Sequence, residues 1–143
     1  MATVLAKTNT GGRRWTALVI AIVAVIAGAT CSKPAEPLKI VRVDTGTTVN
    51  ADNTVSSPSE TFAPNGTVYA AIETDGTGPG TLKAQWVTAD GKTITEQTQQ
   101  INPTGPSHFE FHFAPPEGWP KGRHKAVFTL NGTGARTREF EVR

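Results

Sequence analysis

Residues 107–132, SHFEFHFAPPEGWPKGRHKAVFTLNG, constrain the fold more than any other stretch of the chain. Phe109, Phe111 and Phe113 alternate with His108, Glu110 and His112. Successive side chains of a strand point to opposite faces, so this pattern gives one face to a core and the other to water. Residues 123–130 repeat the alternation, with Ala126, Phe128 and Leu130 on one side. The intervening PPEGWPKG can continue neither strand, because proline lacks the backbone donor and fixes φ. Two strands joined by a turn rich in proline and glycine make the corner of a β-sandwich.

Turn signals recur at short spacing from residue 38 onward, and no segment has a helical period. That rhythm belongs to all-β sandwiches and barrels. A first strand is expected over 38–43, closed by Asp44-Thr45-Gly46. A polar turn follows at 50–53, then an extended segment over 54–62 with Phe62 packed inward. After a Pro64-Asn65-Gly66 turn, residues 67–74 place Val68, Ala70 and Ile72 on one face, and 81–88 do the same with Leu82, Ala84 and Trp86. Asp90-Gly91 between two β-rich runs is the strongest hairpin signal in the chain. Its partner, residues 92–101, is almost all Thr, Gln and Glu. So polar a strand is expected at a sheet edge with a solvated face. Asn131-Gly132 makes another tight turn, and residues 136–143 close the fold with Arg138, Phe140 and Val142 aligned. About seven strands in this length match an immunoglobulin-like antiparallel β-sandwich.

The N-terminus reads as an address. Lys7, Arg13 and Arg14 precede an apolar run over residues 15–29 that ends in small residues. This is the layout of an export signal. At 15 residues the run is short of the roughly 20 that a bilayer-spanning helix needs. The expected organisation is an export signal over 1–30, a polar, proline-bearing tether over 31–37 and the sandwich over 38–143. The signal carries three of the 14 basic residues, so the chain from Cys31 keeps 11 against 12 acidic ones, a net of −1. No basic patch remains that would suggest a nucleic-acid partner.

Gly28-Ala29-Thr30-Cys31, with the only cysteine of the chain at its end, resembles the lipobox of bacterial lipoproteins. Gly28 and Thr30 stand where that family favours Leu and a small residue. The resemblance implies lipid attachment at Cys31 and a membrane as the partner of the anchor. Ala27-Gly28-Ala29 also fits ordinary signal-peptidase cleavage, which would release a soluble secreted or periplasmic domain. Farther along, Trp86, Gly118-Trp119-Pro120-x-Gly122 and the closing Phe140 and Val142 resemble small Ig-like modules of exported bacterial proteins, many of them lipoproteins. These are packing motifs and imply the fold. In such modules Tyr usually stands where this chain has His124.

Little chemistry is legible. His108, Glu110 and His112 share a strand face, and residues two apart lie ~6.5 Å apart, so each adjacent pair could reach one metal ion. His108 and His112, at ~13 Å, could not share it, and a third ligand must come from a neighbouring strand. The alternative is the wet side of a half-buried strand. There is no G-x-S-x-G elbow and no phosphate-cradling glycine loop before a helix, and the carboxylates are scattered. No enzymatic activity and no cofactor are expected. Trp119, in a proline-flanked loop, either caps the end of the sandwich or serves as an exposed contact. The combined expectation is an exported, lipid-anchored binding or accessory module of the cell envelope with an envelope protein partner. The alternative is a periplasmic metal-binding protein using the His108, Glu110 and His112 face. Intact-mass measurement of the mature protein from the membrane fraction checks the address. A chain starting at Cys31 with added acyl mass is expected, whereas an unmodified soluble product starting at Thr30 would exclude the anchor.

Overall fold

The computed structural model describes residues 34–143; the expected export signal, Cys31 and the start of the tether lie outside the described residues. Eight strands form: β1 (Lys39–Gly46), β2 (Thr61–Phe62), β3 (Val68–Asp75), β4 (Gly80–Val87), β5 (Thr93–Ile101), β6 (Ser107–Phe113), β7 (Gly122–Leu130) and β8 (Thr133–Val142). They make two sheets, ordered β1-β3-β6 and β2-β8-β7-β4-β5. All pairings are antiparallel except the short parallel contact of β2 with β8. This is an all-β, immunoglobulin-like sandwich. The strand beyond the expected seven is β2, a two-residue element too short to carry a periodicity of its own.

The alternations fill the core as their periods require. Val68, Ala70 and Ile72 of β3, Leu82, Ala84 and Trp86 of β4, and Ala126 and Phe128 of β7 are fully buried. Phe109, Phe111 and Phe113 of β6 lie opposite Ile72, Ala70 and Val68, and the outer two are only half-buried because β6 ends its sheet. Each fully buried large apolar side chain contributes about 1.5–3 kcal/mol. β6 and β7 belong to different sheets, so residues 114–121 cross from one layer to the other as a corner.

Two turns follow directly from their dipeptides. Asn131 (φ 53°) and Gly132 (φ 75°) both adopt positive φ between β7 and β8, the backbone of a type I′ turn, which matches the twist of the strands it joins. In the β4–β5 hairpin Gly91 has φ 85°, and Thr88 N–H donates to Lys92 O at 2.9 Å. The register beyond this turn slips by one, with Trp86 opposite Thr95 but Val87 opposite Thr93. Ile94 is therefore the extra residue of a bulge, and its side chain is turned onto the core.

The Asp44-Thr45-Gly46 turn expected from the sequence is instead the end of β1. Gly46 does not turn the chain; it makes room. A Cβ there would collide with the carbonyl oxygen of Ser57 and with Cγ1 of Val55. Residues 47–60 fold back as a small hairpin, bridged at Val49 and Val55, and rejoin β1 where Pro58 meets Gly46. Ala71, on the outward side of β3 beside Asp44, is only 5% exposed. A pair of small residues thus forms the flat on which this hairpin rests. Gly46→Ala is expected to push the hairpin off the sheet at a cost of about 1–3 kcal/mol. Urea denaturation and faster amide exchange confined to residues 47–60 would register it; an unchanged midpoint would contradict the close approach.

Candidate functional site

The outer face of the three-stranded sheet carries two of the three histidines. His108, Glu110 and His112 of β6 lie opposite Glu73, Ala71 and Tyr69 of β3. Nδ1 of His112 sits 2.6 Å from Oε1 of Glu110, and the imidazole stacks beside Tyr69 with ring centroids 5.3 Å apart. His108 lies under the tip of the 47–60 hairpin, where Asn53 Nδ2 donates to its carbonyl at 3.3 Å. The Thr54 hydroxyl and backbone N–H, bonded to the Asp52 carboxylate at that tip, hold its pKa below the usual range, with a small further contribution from His108. Glu110 and His112 are thus brought together as a hydrogen-bonded pair, with His108 set apart from them. Among the described residues no group of three or more His, Cys, Asp or Glu side chains is placed to hold a metal ion. Among these residues the neighbouring strand brings no third ligand to the pair.

Trp119, expected either to cap the end of the sandwich or to serve as an exposed contact, is buried at 2% exposure. Gly118 adopts φ 79°, which an L side chain rarely tolerates, and this turns the indole inward. The backbone N–H of Trp119 then donates to Pro64 O at 2.6 Å, and its Nε1 donates to Gly66 O at 3.2 Å. The ring packs edge-on against Phe113 and Phe140 and beside Trp86. A large aromatic with both backbone and indole donors satisfied inside is a cap, not a contact surface. His124, at the position where similar modules carry Tyr, is also buried, at 1% exposure, between Trp119 and Phe140. Its Nε2 bonds to Pro120 O at 2.6 Å.

Among the described residues the two sheets end in four edge strands, β1, β6, β2 and β5, and the first three carry features that hinder strand pairing. β1 carries a bulge at Val41, a side chain 45% exposed, and Ser59 exchanges hydrogen bonds with Thr45 along its outer side. β2 has two residues and covers only Glu141 and Val142 of β8, so the rest of that strand pairs on its β7 side alone. Carbonyls of β6 are taken by side chains from elsewhere, His108 O by Asn53 and His112 O by Gln97 Nε2 at 2.9 Å. Bulges, short strands and covering groups are the ordinary devices against unwanted edge pairing.

β5 is the exception. From Thr95 to Ile101 it pairs residue for residue with β4, no strand of the described residues lies on its other side, and its one charge is Glu96. That carboxylate is engaged on its own sheet, accepting from Gln85 Nε2 at 2.5 Å and lying 3.5 Å from Lys83 Nζ. Both faces of β5 are polar because the opposing sheet has only three strands and leaves β5 largely uncovered. One core-facing residue has a specific task. Gln97 Oε1 accepts from the buried Trp86 Nε1 at 3.0 Å while its Nε2 donates to His112 O. A single amide thereby stitches the five-stranded sheet to the edge of the three-stranded one. Sequence reasoning missed this bond; the one signal was an amide at an inward position of an otherwise polar strand.

No protein-family profile matches the sequence, and comparison with curated proteins returns no match. Among solved structures, the CARDB domain of a Pyrococcus furiosus protein in complex with di-metal ions is similar over 77% of this chain and 90% of its own. The identity is 9% and the TM-score 0.50. The Pseudomonas fluorescens alkylpurine DNA glycosylase AlkC, bound to DNA containing an abasic-site analogue, is similar over 74% of this chain at 14% identity and a TM-score of 0.50; the chain spans 30% of the glycosylase. An immunoglobulin-like protein from Pseudomonas aeruginosa aligns over 77% of this chain and 99% of its own, at 14% identity and a TM-score of 0.49. At such identities the first two likenesses speak for the sandwich fold and for nothing more.

Replacing Gln97 by Leu would leave both the Trp86 indole N–H and the His112 carbonyl without their partner. An expected loss of about 1–3 kcal/mol for the buried indole follows. Gln97→Glu, which keeps the acceptor and removes the donor, is expected to lose less. Equal stability of the Leu variant and the parent in urea melts would show that the stitch contributes nothing.

Proposed function

We propose that this chain is a non-enzymatic binding module of the bacterial cell envelope, exported by residues 1–30 and held at the membrane through lipid on Cys31. In this reading it engages an extended polypeptide segment of an envelope partner along β5. The observation that carries the proposal is the contrast among the edge strands of the described residues: β5 is long, regular over most of its length and without a neighbouring strand on its outer side. A free edge offers a row of backbone donors and acceptors, and a partner strand that pairs with it obtains its affinity from main-chain hydrogen bonds. The Thr- and Gln-rich composition supports this use, since an edge meant only to stay solvated is commonly guarded by lysine or proline. The lipobox resemblance and the short tether support the address. They would hold the sandwich within a few residues of the membrane surface, where an envelope protein is within reach.

A photo-crosslinking residue at Gln99, introduced in intact cells, tests the edge. A discrete adduct is expected, together with its loss when Thr98 and Gln100 are both changed to Lys, which guards the edge without touching the core. A crosslinker at Val41, on the bulged edge, serves as the control. Adducts of equal yield at both sites, or insensitivity to the lysines, would remove strand addition as the mode of binding.

A further inference from the structure

Where the β4–β5 hairpin meets the corner between the sheets, a cleft of about 580 Å³ opens, walled by Asp90, Lys92 and Ile94 on one side and Glu117, Pro120 and His124 on the other. Its polar groups are unevenly supplied. The Nε2 of His124 lies 2.6 Å from Pro120 O, and a carbonyl oxygen only accepts, so Nε2 carries the proton. In the tautomer with Nε2–H, Nδ1 keeps a lone pair, and among the described residues this buried atom has no hydrogen-bond partner. A buried acceptor left without a donor is costly. Glu117 has no hydrogen bond or ion pair among the described residues. Asp90 is held in its charged form by the Thr88 hydroxyl and the Lys92 backbone N–H. Two anionic acceptors, Asp90 and Glu117, thus line a cleft whose walls hold one cation, Lys92, with the orphaned His124 ring buried in the wall behind them. Ala89, Ile94 and Pro120 supply apolar surface beside them.

An occupant that suits such walls has an aliphatic stem ending in a cationic N–H donor. Lys92, Thr93 and Ile94 are at once cleft wall and the approach to β5, so a strand laid along β5 passes the mouth of the cleft. Strand addition draws affinity from the backbone and selectivity from pockets for individual side chains. We infer that this cleft is the side-chain pocket for a lysine or arginine carried by the strand that adds to β5. The inference rests on the β5 reading and adds to it the chemistry of the partner.

The test uses the full chain, labelled with nitrogen-15 and held in zwitterionic detergent micelles, titrated with N-acetyl-arginine methylamide and, separately, with the norleucine analogue. The arginine compound is expected to shift the amides of residues 88–94 and 117–119 saturably and to move the Nδ1 resonance of His124, while the norleucine compound does neither. Glu117→Gln, an exposed substitution that leaves the core untouched, is expected to weaken the response about fivefold, as befits one charge-assisted contact at a partly open site. Equal responses to both compounds, or an arginine response indifferent to Glu117→Gln, would overturn the pocket. The probe carries no strand, so the two proposals fail separately. An adduct at Gln99 with no arginine response sinks the pocket alone. Arginine binding with no adduct at Gln99 sinks strand addition and leaves the preference of the cleft for a cation standing.

Discussion

The sandwich is held at one end by the indole of Trp119. The chain must cross from the three-stranded sheet to the five-stranded one after β6, and a crossing of that kind leaves the core open unless something fills it. Gly118 supplies the backbone turn, and the indole enters the gap, touching Phe113 from one sheet and Trp86 and Phe140 from the other. Its two N–H groups tie residues 64 and 66 to the corner. The loop before β3 and the loop before β7 are thus fixed to each other through one residue, and His124 is packed into place behind it. Interior aromatics placed in this way add edge-to-face attraction to the area they bury.

At the flanks the problem differs, because two sheets of unequal width cannot cover each other. Five strands face three, and the surplus falls on β5. The chain answers with polarity: where an apolar residue would be stranded in water, β5 presents Thr95, Gln97 and Gln99 on its inner side. Gln97 turns that necessity into a bond across the sandwich, since its amide both accepts from a core indole and donates to a carbonyl at the rim. At β1 and β6 the edges are closed by a bulge and by borrowed side chains. The strand left free is therefore also tied to the core through Gln97, and a free edge held in register is what a partner strand requires as a template.

The outer face of the three-stranded sheet shows how a surface can look chemical in sequence and be structural in space. The His-x-Glu-x-His alternation offers metal ligands by residue type, yet neighbouring strands decide whether ligands converge. Here Glu110 is bound to His112, His112 leans on Tyr69, and His108 lies beneath a hairpin seated on Gly46 and Ala71. Glu110 and His112 are each other's partner, and no third ligand is brought to them among the described residues.

Much of this fold was legible in one dimension. Strand periodicity is a local property, so the alternations of β3, β4, β6 and β7 named their buried faces directly. The Asn131-Gly132 and Asp90-Gly91 turns declared themselves because few other dipeptides accept positive φ so readily. The polarity of residues 92–101 likewise announced an edge. What the chain alone left open was every question of which distant elements meet. Whether Trp119 points in or out depends on Pro64 and Gly66, more than fifty residues earlier, and whether Gly46 turns the chain or yields space depends on the path of residues 55–57. The joining of Gln97 to Trp86 and His112, and the meeting of the β4–β5 hairpin with the corner around His124, follow from sheet order. Sheet order is set by the global packing of side chains and not by any local preference, so only the tertiary structure could decide them.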